Sequence, residues 1–140
     1  MSNFFEKSDL TRNDAEKIVS DTLKKCDDGE LYLENTKSET ILLDDNKIKN
    51  SSFNSDLGYG LRAISGEIVA YSHSNEISKD SLKKSSDNLK STLKSAKGNY
   101  NYSIPKSNNT YYENINPIEQ KSFNSKVEIL NKVNEYLRSK

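Results

Sequence analysis

Apolar residues recur at helical spacing in three segments of the chain. These segments cover residues 13–26, 78–97 and 122–138, and in each the apolar side chains fall on one face of a helix. In the last segment these positions are Phe123, Val127, Leu130, Val133 and Leu137. The pattern predicts three amphipathic helices.

Capping residues mark the helix ends. Thr11 or Asn13 stands where the first helix begins, and Ser78 stands where the second begins. Gly29 follows the first helical pattern, in the position of a residue that ends a helix. We therefore expect Gly29 to close the first helix and Ser78 to cap the second.

Between the first two helices, the pattern changes to short runs rich in Ile, Leu, Val, Tyr and Thr that are separated by turn residues. Such runs are typical of successive antiparallel strands. We place four strands at residues 30–43, 47–54, 58–64 and 67–74. Residues 44–46 and the pair Ser65-Gly66 have the composition of turns.

These elements predict an α+β fold. Its order is an N-terminal helix, an antiparallel sheet of about four strands, a helix packed on the sheet, a loop and a C-terminal helix. We assign residues 1–98 to an N-terminal α+β domain and residues 99–121 to a polar, Tyr-rich loop. Residues 122–140 then form a helix that leads toward a C-terminal domain outside this chain.

Charge and hydropathy disfavour several classes of protein. The sequence has 21 basic and 21 acidic residues, so its formal net charge is zero. Without an excess of positive charge, a polybasic binder of nucleic acid or of membrane surfaces is disfavoured. The apolar runs are too short for a transmembrane helix, and residues 1–10 lack the pattern of a secretory signal. We predict no membrane segment, and a nucleic-acid partner is disfavoured.

The counts of cysteine and histidine limit the chemistry further. The single cysteine, Cys26, excludes an internal disulfide and suits a reducing compartment, so we predict a cytoplasmic location. The single histidine, His73, is too few for a catalytic zinc site with two or three His ligands. We predict that this chain contains no catalytic residue, no metal ligand and no cofactor.

The strand at residues 58–64 provides the candidate contact residues. Gly58, Gly60 and Arg62 share one face of this strand, opposite the apolar face. Two glycines permit close approach of another group, and a guanidinium can bind a carboxylate or a backbone carbonyl. These three residues are therefore the candidate contacts with a partner or a peptide. The alternative is that Gly60 only relieves crowding within the sheet and Arg62 pairs with a neighbouring acid.

Residues 56–67, with the sequence DLGYGLRAISGE, strongly resemble the N-terminal domain of the TldD/PmbA family. Within that family, they resemble the TldD branch more than the PmbA branch. Three further segments resemble the same family in the same order. They are the first hairpin, which begins at residues 30–34, the strand-to-helix junction at residues 75–78, and the region that contains Asn116-Pro117 and the helix at residues 122–136. The resemblance covers nearly the whole chain.

The resemblance implies a cytosolic zinc metallopeptidase that acts on unfolded or extended peptides, in which the chain pairs with a PmbA-like paralogue as a heterodimer, or with itself. In that family, zinc is held by a His-Glu-x-x-x-His helix of the C-terminal domain. A sequence with one His cannot contain this motif. We therefore expect a truncated, N-terminal portion that is inactive alone and serves as a scaffold for the dimer and its substrate chamber.

Two other functions fit the same residues. The chain could be a stand-alone module that binds a partner or a peptide without chemistry. It could also be a gyrase-associated or nucleic-acid-associated factor, since the family was formerly described as a modulator of DNA gyrase and the segment 78–97 is rich in lysine.

Overall fold

A computed structural model describes residues 4–6, 8–94, 97–98 and 115–140 of the chain. Most of the predicted Tyr-rich loop therefore lies outside the described residues. Ala96, which the helical pattern places on the apolar face of the second helix, also lies outside them.

The described residues form an α+β fold with three helices and a three-stranded antiparallel sheet in the order β1-β2-β3. The elements are α1 (Arg12–Leu23), β1 (Asp28–Asp44), β2 (Lys47–Ser65), β3 (Ile68–Ser74), α2 (Lys79–Thr92) and α3 (Phe123–Arg138). The fold class is as predicted. None of the described helices is both long enough and apolar enough to cross a membrane.

The sheet differs from the prediction in its number of strands. The predicted strands at residues 47–54 and 58–64 are one continuous strand, β2, so the part of the chain that the structure describes has three strands where we expected about four. The polar residues between them, Ser55 and Asp56, are exposed and lie within the strand. Because their side chains reach solvent, they do not interrupt the backbone pairing, although their composition is typical of a turn.

The caps of the first two helices are as predicted, but the end of α1 is not. Thr11 caps α1 by accepting a hydrogen bond from the backbone N–H of Asp14, and Ser78 caps α2 by accepting one from that of Ser81. The first helix ends at Leu23, and Gly29 is a buried residue of β1 that does not close it.

The chain divides into two compact units. Unit 1 contains the described residues of Met1–Asn35 and Asp56–Asn108, and unit 2 contains those of Thr36–Ser55 and Asn109–Lys140. Strands β1 and β2 each contribute one part to each unit. The two units are described separately below.

The hydrophobic core lies in unit 1, where α2 packs against both α1 and β3. Its largest fully buried side chains are Leu10, Leu23, Cys26, Leu61, Leu82 and Leu89. Leu82 and Leu89 lie two helical turns apart on one face of α2, as the helical pattern predicted. This face holds the helices on the sheet.

A network of hydroxyl groups accompanies the apolar contacts of α2. The Oγ of Ser85 lies 2.9 Å from the hydroxyl of Tyr59 on β2 and accepts a hydrogen bond of 3.0 Å from Ser72 on β3. The next residue, Ser86, forms a hydrogen bond of 2.7 Å with Thr22 of α1. Adjacent serines therefore join α2 to the sheet on one side and to α1 on the other.

Two ion pairs also connect α1 and α2. The ammonium of Lys79 lies 2.9 Å from a carboxylate oxygen of Asp14, and Lys90 pairs with Asp21. The hydrogen bonds from Lys79 and Thr11 hold the pKa of the Asp14 carboxyl below its ordinary value, and the same pairing raises the pKa of Lys79.

Unit 2 consists of the turn-side parts of β1 and β2 together with α3. Lys126 of α3 pairs with Glu39 of β1 and donates a hydrogen bond of 2.6 Å to the carbonyl of Ile118. No residue of α3 is fully buried, and its most exposed apolar side chains include those of Tyr136 and Leu137. Polar contacts therefore account for much of the attachment of this helix within its unit.

Replacing Leu82 with alanine tests the role of α2 in the core. Leu82 is fully buried, so Leu82→Ala should lower the free energy of unfolding by about 2–5 kcal/mol. Leu57 is 42% exposed, so the matched change Leu57→Ala should cost at most about 1 kcal/mol. Urea unfolding followed by far-UV circular dichroism measures both, and equal losses would contradict the proposed core.

Acidification tests the ion pair between Asp14 and Lys79. Because the pKa of Asp14 is lowered in the folded state, the pair stabilises the fold above the unfolded pKa of about 3.9. This contribution is lost as the pH falls through the lower, folded pKa. Between about pH 5 and pH 2, the stability of Asp14→Asn should therefore fall less steeply than that of the wild type. Asp87→Asn, a matched change at an exposed position of α2, should keep the wild-type slope.

Candidate functional site

One face of the sheet in unit 1 carries the core, and the other face is more exposed. Along β2, Tyr59, Leu61 and Ala63 are buried, as the alternation in the sequence predicted. The intervening residues point to the opposite face. The candidate contacts Gly58, Gly60 and Arg62 all belong to this second face.

The register of the strands fixes the neighbours of these residues. Gly60 lies opposite His73, Arg62 opposite Tyr71, and Ile64 opposite Val69. On β1, the ion-pair partners of Arg62 lie on the same face. We call this surface the open face, and it comprises Asp28, Glu30, Tyr32, Gly58, Gly60, Arg62, Ile64, Val69, Tyr71 and His73.

Arg62 is held between two carboxylates of β1. Its Nε lies 2.9 Å from an oxygen of Glu30, and a terminal nitrogen lies 3.5 Å from an oxygen of Asp28. The Arg62 side chain is 35% exposed, so solvent screens these pairs in part. These ion pairs agree with the alternative in which Arg62 pairs with neighbouring acids of its own sheet. The contact of Arg62 with a partner stays a prediction.

The two glycines of the open face are approached closely by β3. A Cβ atom at Gly60 would lie 2.7 Å from the hydroxyl oxygen of Tyr71 and 3.0 Å from its ring, so this aromatic side chain lies over Gly60. A Cβ atom at Gly58 would lie 2.9 Å from the backbone oxygen of Ser74. The close approach that the glycines permit is therefore made, at least in part, by the sheet itself.

Aromatic side chains dominate the β3 side of the open face. The rings of Tyr71 and His73 are stacked, with centroids 5.8 Å apart and planes inclined by 25°. Tyr71 is 63% exposed and Val69 is 60% exposed. These two exposed side chains present apolar surface of the kind that protein contacts often use.

Among the described residues, strand β3 is also an edge of the sheet, since the strand order is β1-β2-β3. Its sequence, IVAYSHS, contains no Lys, Arg, Asp, Glu or Pro. Native proteins commonly protect edge strands with charged residues or proline, because the unpaired backbone groups of an edge are a template for another strand. An uncharged edge strand next to exposed apolar side chains is suited to receive an extended segment. We did not anticipate this from the sequence, although the absence of charge was visible there.

Comparison with protein families places this geometry in context. The family model described as PmbA/TldA metallopeptidase domain 1 matches residues 29–99, about half of the chain. The chain belongs to the PmbA/TldD metallopeptidase family. The resemblance identified from residues 56–67 is thereby confirmed. The segment that matches PmbA/TldD domain 1 includes all of the open face except Asp28.

Three relatives support this membership, each named "Metalloprotease TldD homolog". That of Buchnera aphidicola from Acyrthosiphon pisum is 33% identical over 117 residues, which are 83% of this chain and 24% of the relative. That of Haemophilus influenzae is 30% identical over 122 residues, which are 83% of this chain and 25% of the relative. That of Buchnera aphidicola from Schizaphis graminum is 30% identical over 113 residues, which are 80% of this chain and 23% of the relative. The chain spans about a quarter of the length of these relatives.

The residues that the structure describes do not offer a site for the metal that a metallopeptidase implies. Among the described residues, no group of three His, Cys, Asp or Glu side chains is placed to hold a metal ion. The whole sequence has one His, His73, and one Cys, Cys26. Burial raises the pKa of the Cys26 thiol, with a smaller effect from Asp27, and so disfavours the thiolate that would bind a metal.

Replacing Gly58 and Gly60 with alanine tests what lies against each glycine, a backbone atom or a side chain. At Gly58 the new methyl group would meet a backbone oxygen, whereas at Gly60 it would meet the end of a side chain that can rotate away. Gly58→Ala should therefore destabilise unit 1 by about 1–3 kcal/mol, and Gly60→Ala by about 1 kcal/mol or less. Adding Tyr71→Ala should relieve the Gly60→Ala effect but not the Gly58→Ala effect. Thermal unfolding measures this, and relief at both positions would contradict the arrangement.

Proposed function

We propose that this chain is the N-terminal, non-catalytic part of a TldD-like metallopeptidase that degrades unfolded or extended peptides in the cytoplasm. The observation that carries the proposal is the match to domain 1 of the family together with the absence of a His-Glu-x-x-x-His motif from the sequence. We therefore assign peptide hydrolysis in such an enzyme to residues that do not belong to this chain. This chain then contributes structure and contacts.

The contact that we assign to it is the docking of a PmbA-like paralogue on the open face and the edge of β3. An extended segment of the partner can add to β3 through backbone hydrogen bonds, which need no particular sequence. The exposed side chains of Val69 and Tyr71 then lie beside the added strand. Arg62, with Glu30 and Asp28, provides charged groups at the border of this surface. Apolar contact supplies affinity, and the charged border supplies orientation.

A charge placed on β3 tests the docking. Val69→Lys should weaken binding of the full 140-residue chain to a PmbA-like paralogue about tenfold or more, because an edge lysine would lose solvation when a strand is added. Isothermal titration calorimetry with the purified paralogue measures the affinity. Ser91→Lys adds the same charge at an exposed position of α2 and should leave it unchanged.

Results of two kinds would contradict the proposal. Docking on this face would be refuted if Val69→Lys left the affinity unchanged or if the wild-type chain did not bind the paralogue. A non-catalytic role would be refuted if the purified chain with zinc cleaved an unfolded peptide. Circular dichroism of each variant establishes that the fold is retained.

A further inference from the structure

A cleft opens in unit 1 at the C-terminal turns of α1 and α2, on elements other than those of the open face. Its volume is about 290 Å³. Four of the residues that line it are lysines: Lys24, Lys25, Lys90 and Lys94. They come from two segments of the chain that are distant in sequence, and the packing of α2 on α1 brings them to one concave site.

The charge of this cleft is unbalanced. Among the described residues that line it there is one carboxylate, that of Asp21, and it is paired with Lys90. This pairing holds the pKa of Asp21 below its ordinary value, with a smaller contribution from Lys24. The C-terminal end of each helix adds a partial negative charge of about one half. Even with both helix ends included, the lining keeps an excess of about two positive charges.

The remaining lining gives the cleft an apolar floor. Cys26 is 1% exposed and Leu93 is 6% exposed, and the thiol stays neutral because burial raises its pKa. The hydroxyl of Thr22 is already used in hydrogen bonds to Ser86 and to the carbonyl of Ile18. The ammonium groups are therefore the groups of this cleft that are suited to attract a ligand.

Lysines at a helix C-terminus stabilise the helix by interacting with its partial negative charge, but this role accounts for only part of the arrangement. One cation for each helix would already more than balance the partial negative charge of about one half at its end. Lys24 and Lys25 both follow α1, and Lys94 adds to Lys90 at the end of α2. Several cations around a concave, partly apolar surface raise the local concentration of anions more than the same cations on a convex surface.

We propose that this lysine cleft binds a small polyanion that carries two or more linked phosphate groups. Lysine binds phosphate as a point charge that is not restricted to one geometry. The volume is near the lower end of that of small-molecule sites, which favours a compact ligand over a nucleic-acid duplex. No arginine lines the cleft, so it lacks the side chain best suited to read a base edge.

Titration of the full 140-residue chain with inorganic pyrophosphate tests this site. We expect saturable one-to-one binding in the micromolar to millimolar range, and Lys94→Glu should weaken it about tenfold. Lys83→Glu makes the same change of charge on α2 outside the cleft lining and should weaken it less than about twofold. Calorimetry gives the affinities, and amide chemical shifts of Cys26 and Leu93 report the position of the ligand.

Three outcomes would overturn the proposal. They are the absence of saturable binding of pyrophosphate at low salt, an equal loss of affinity in Lys83→Glu and Lys94→Glu, and shifts confined to residues outside the cleft. Binding of a short DNA duplex that is tighter than that of pyrophosphate and is weakened equally by both variants would indicate a general basic surface, and would also overturn it.

Discussion

The fold of unit 1 depends on how the buried face of α2 is held against its neighbours. Leu82 supplies apolar burial, but apolar contact alone allows a helix to rotate or slide. Ser85 and Ser86 remove that freedom, because buried hydroxyls must find hydrogen-bond partners. Ser85 finds Tyr59 on the sheet and Ser86 finds Thr22 on α1. Among the described residues, no buried side-chain polar atom lacks a partner, so this orientation of α2 satisfies both its apolar and its polar groups.

The position of α2 determines which surfaces remain for contacts with other molecules. Because the helices occupy the face of the sheet that carries Tyr59, the face of Arg62 and Tyr71 remains exposed. Because α2 lies against α1, the lysines at the ends of both helices line one cleft. Both proposed binding surfaces thus follow from one packing arrangement, although they differ in chemistry. One offers apolar side chains and a strand edge, and the other offers positive charge.

The sequence predicted what depends on nearby residues. The caps Thr11 and Ser78 are confirmed, and each accepts a hydrogen bond from a backbone N–H only three residues further along the chain. The alternation along β2 is confirmed as well, and it has a period of only two residues. The predicted break at residues 55–57 is wrong because polar composition does not distinguish a turn from a strand that is exposed to solvent. The pairing of Arg62 with Glu30, and the lysine cleft, depend on strand register and helix packing, which no local pattern contains.

The docking that we propose gives a physical reason for the uncharged edge of β3. An edge strand with exposed Val69 and Tyr71 favours unwanted association, whereas the neighbouring helix α2 is rich in lysine. The ring of Tyr71 also lies over Gly60, so it covers backbone of the adjacent strand and still presents a large exposed area. Such an edge accepts any extended segment through its backbone. In the docking that we propose, the ion pairs around Arg62 would select among segments, because a partner that places an unmatched charge there loses solvation without gaining a counter-ion.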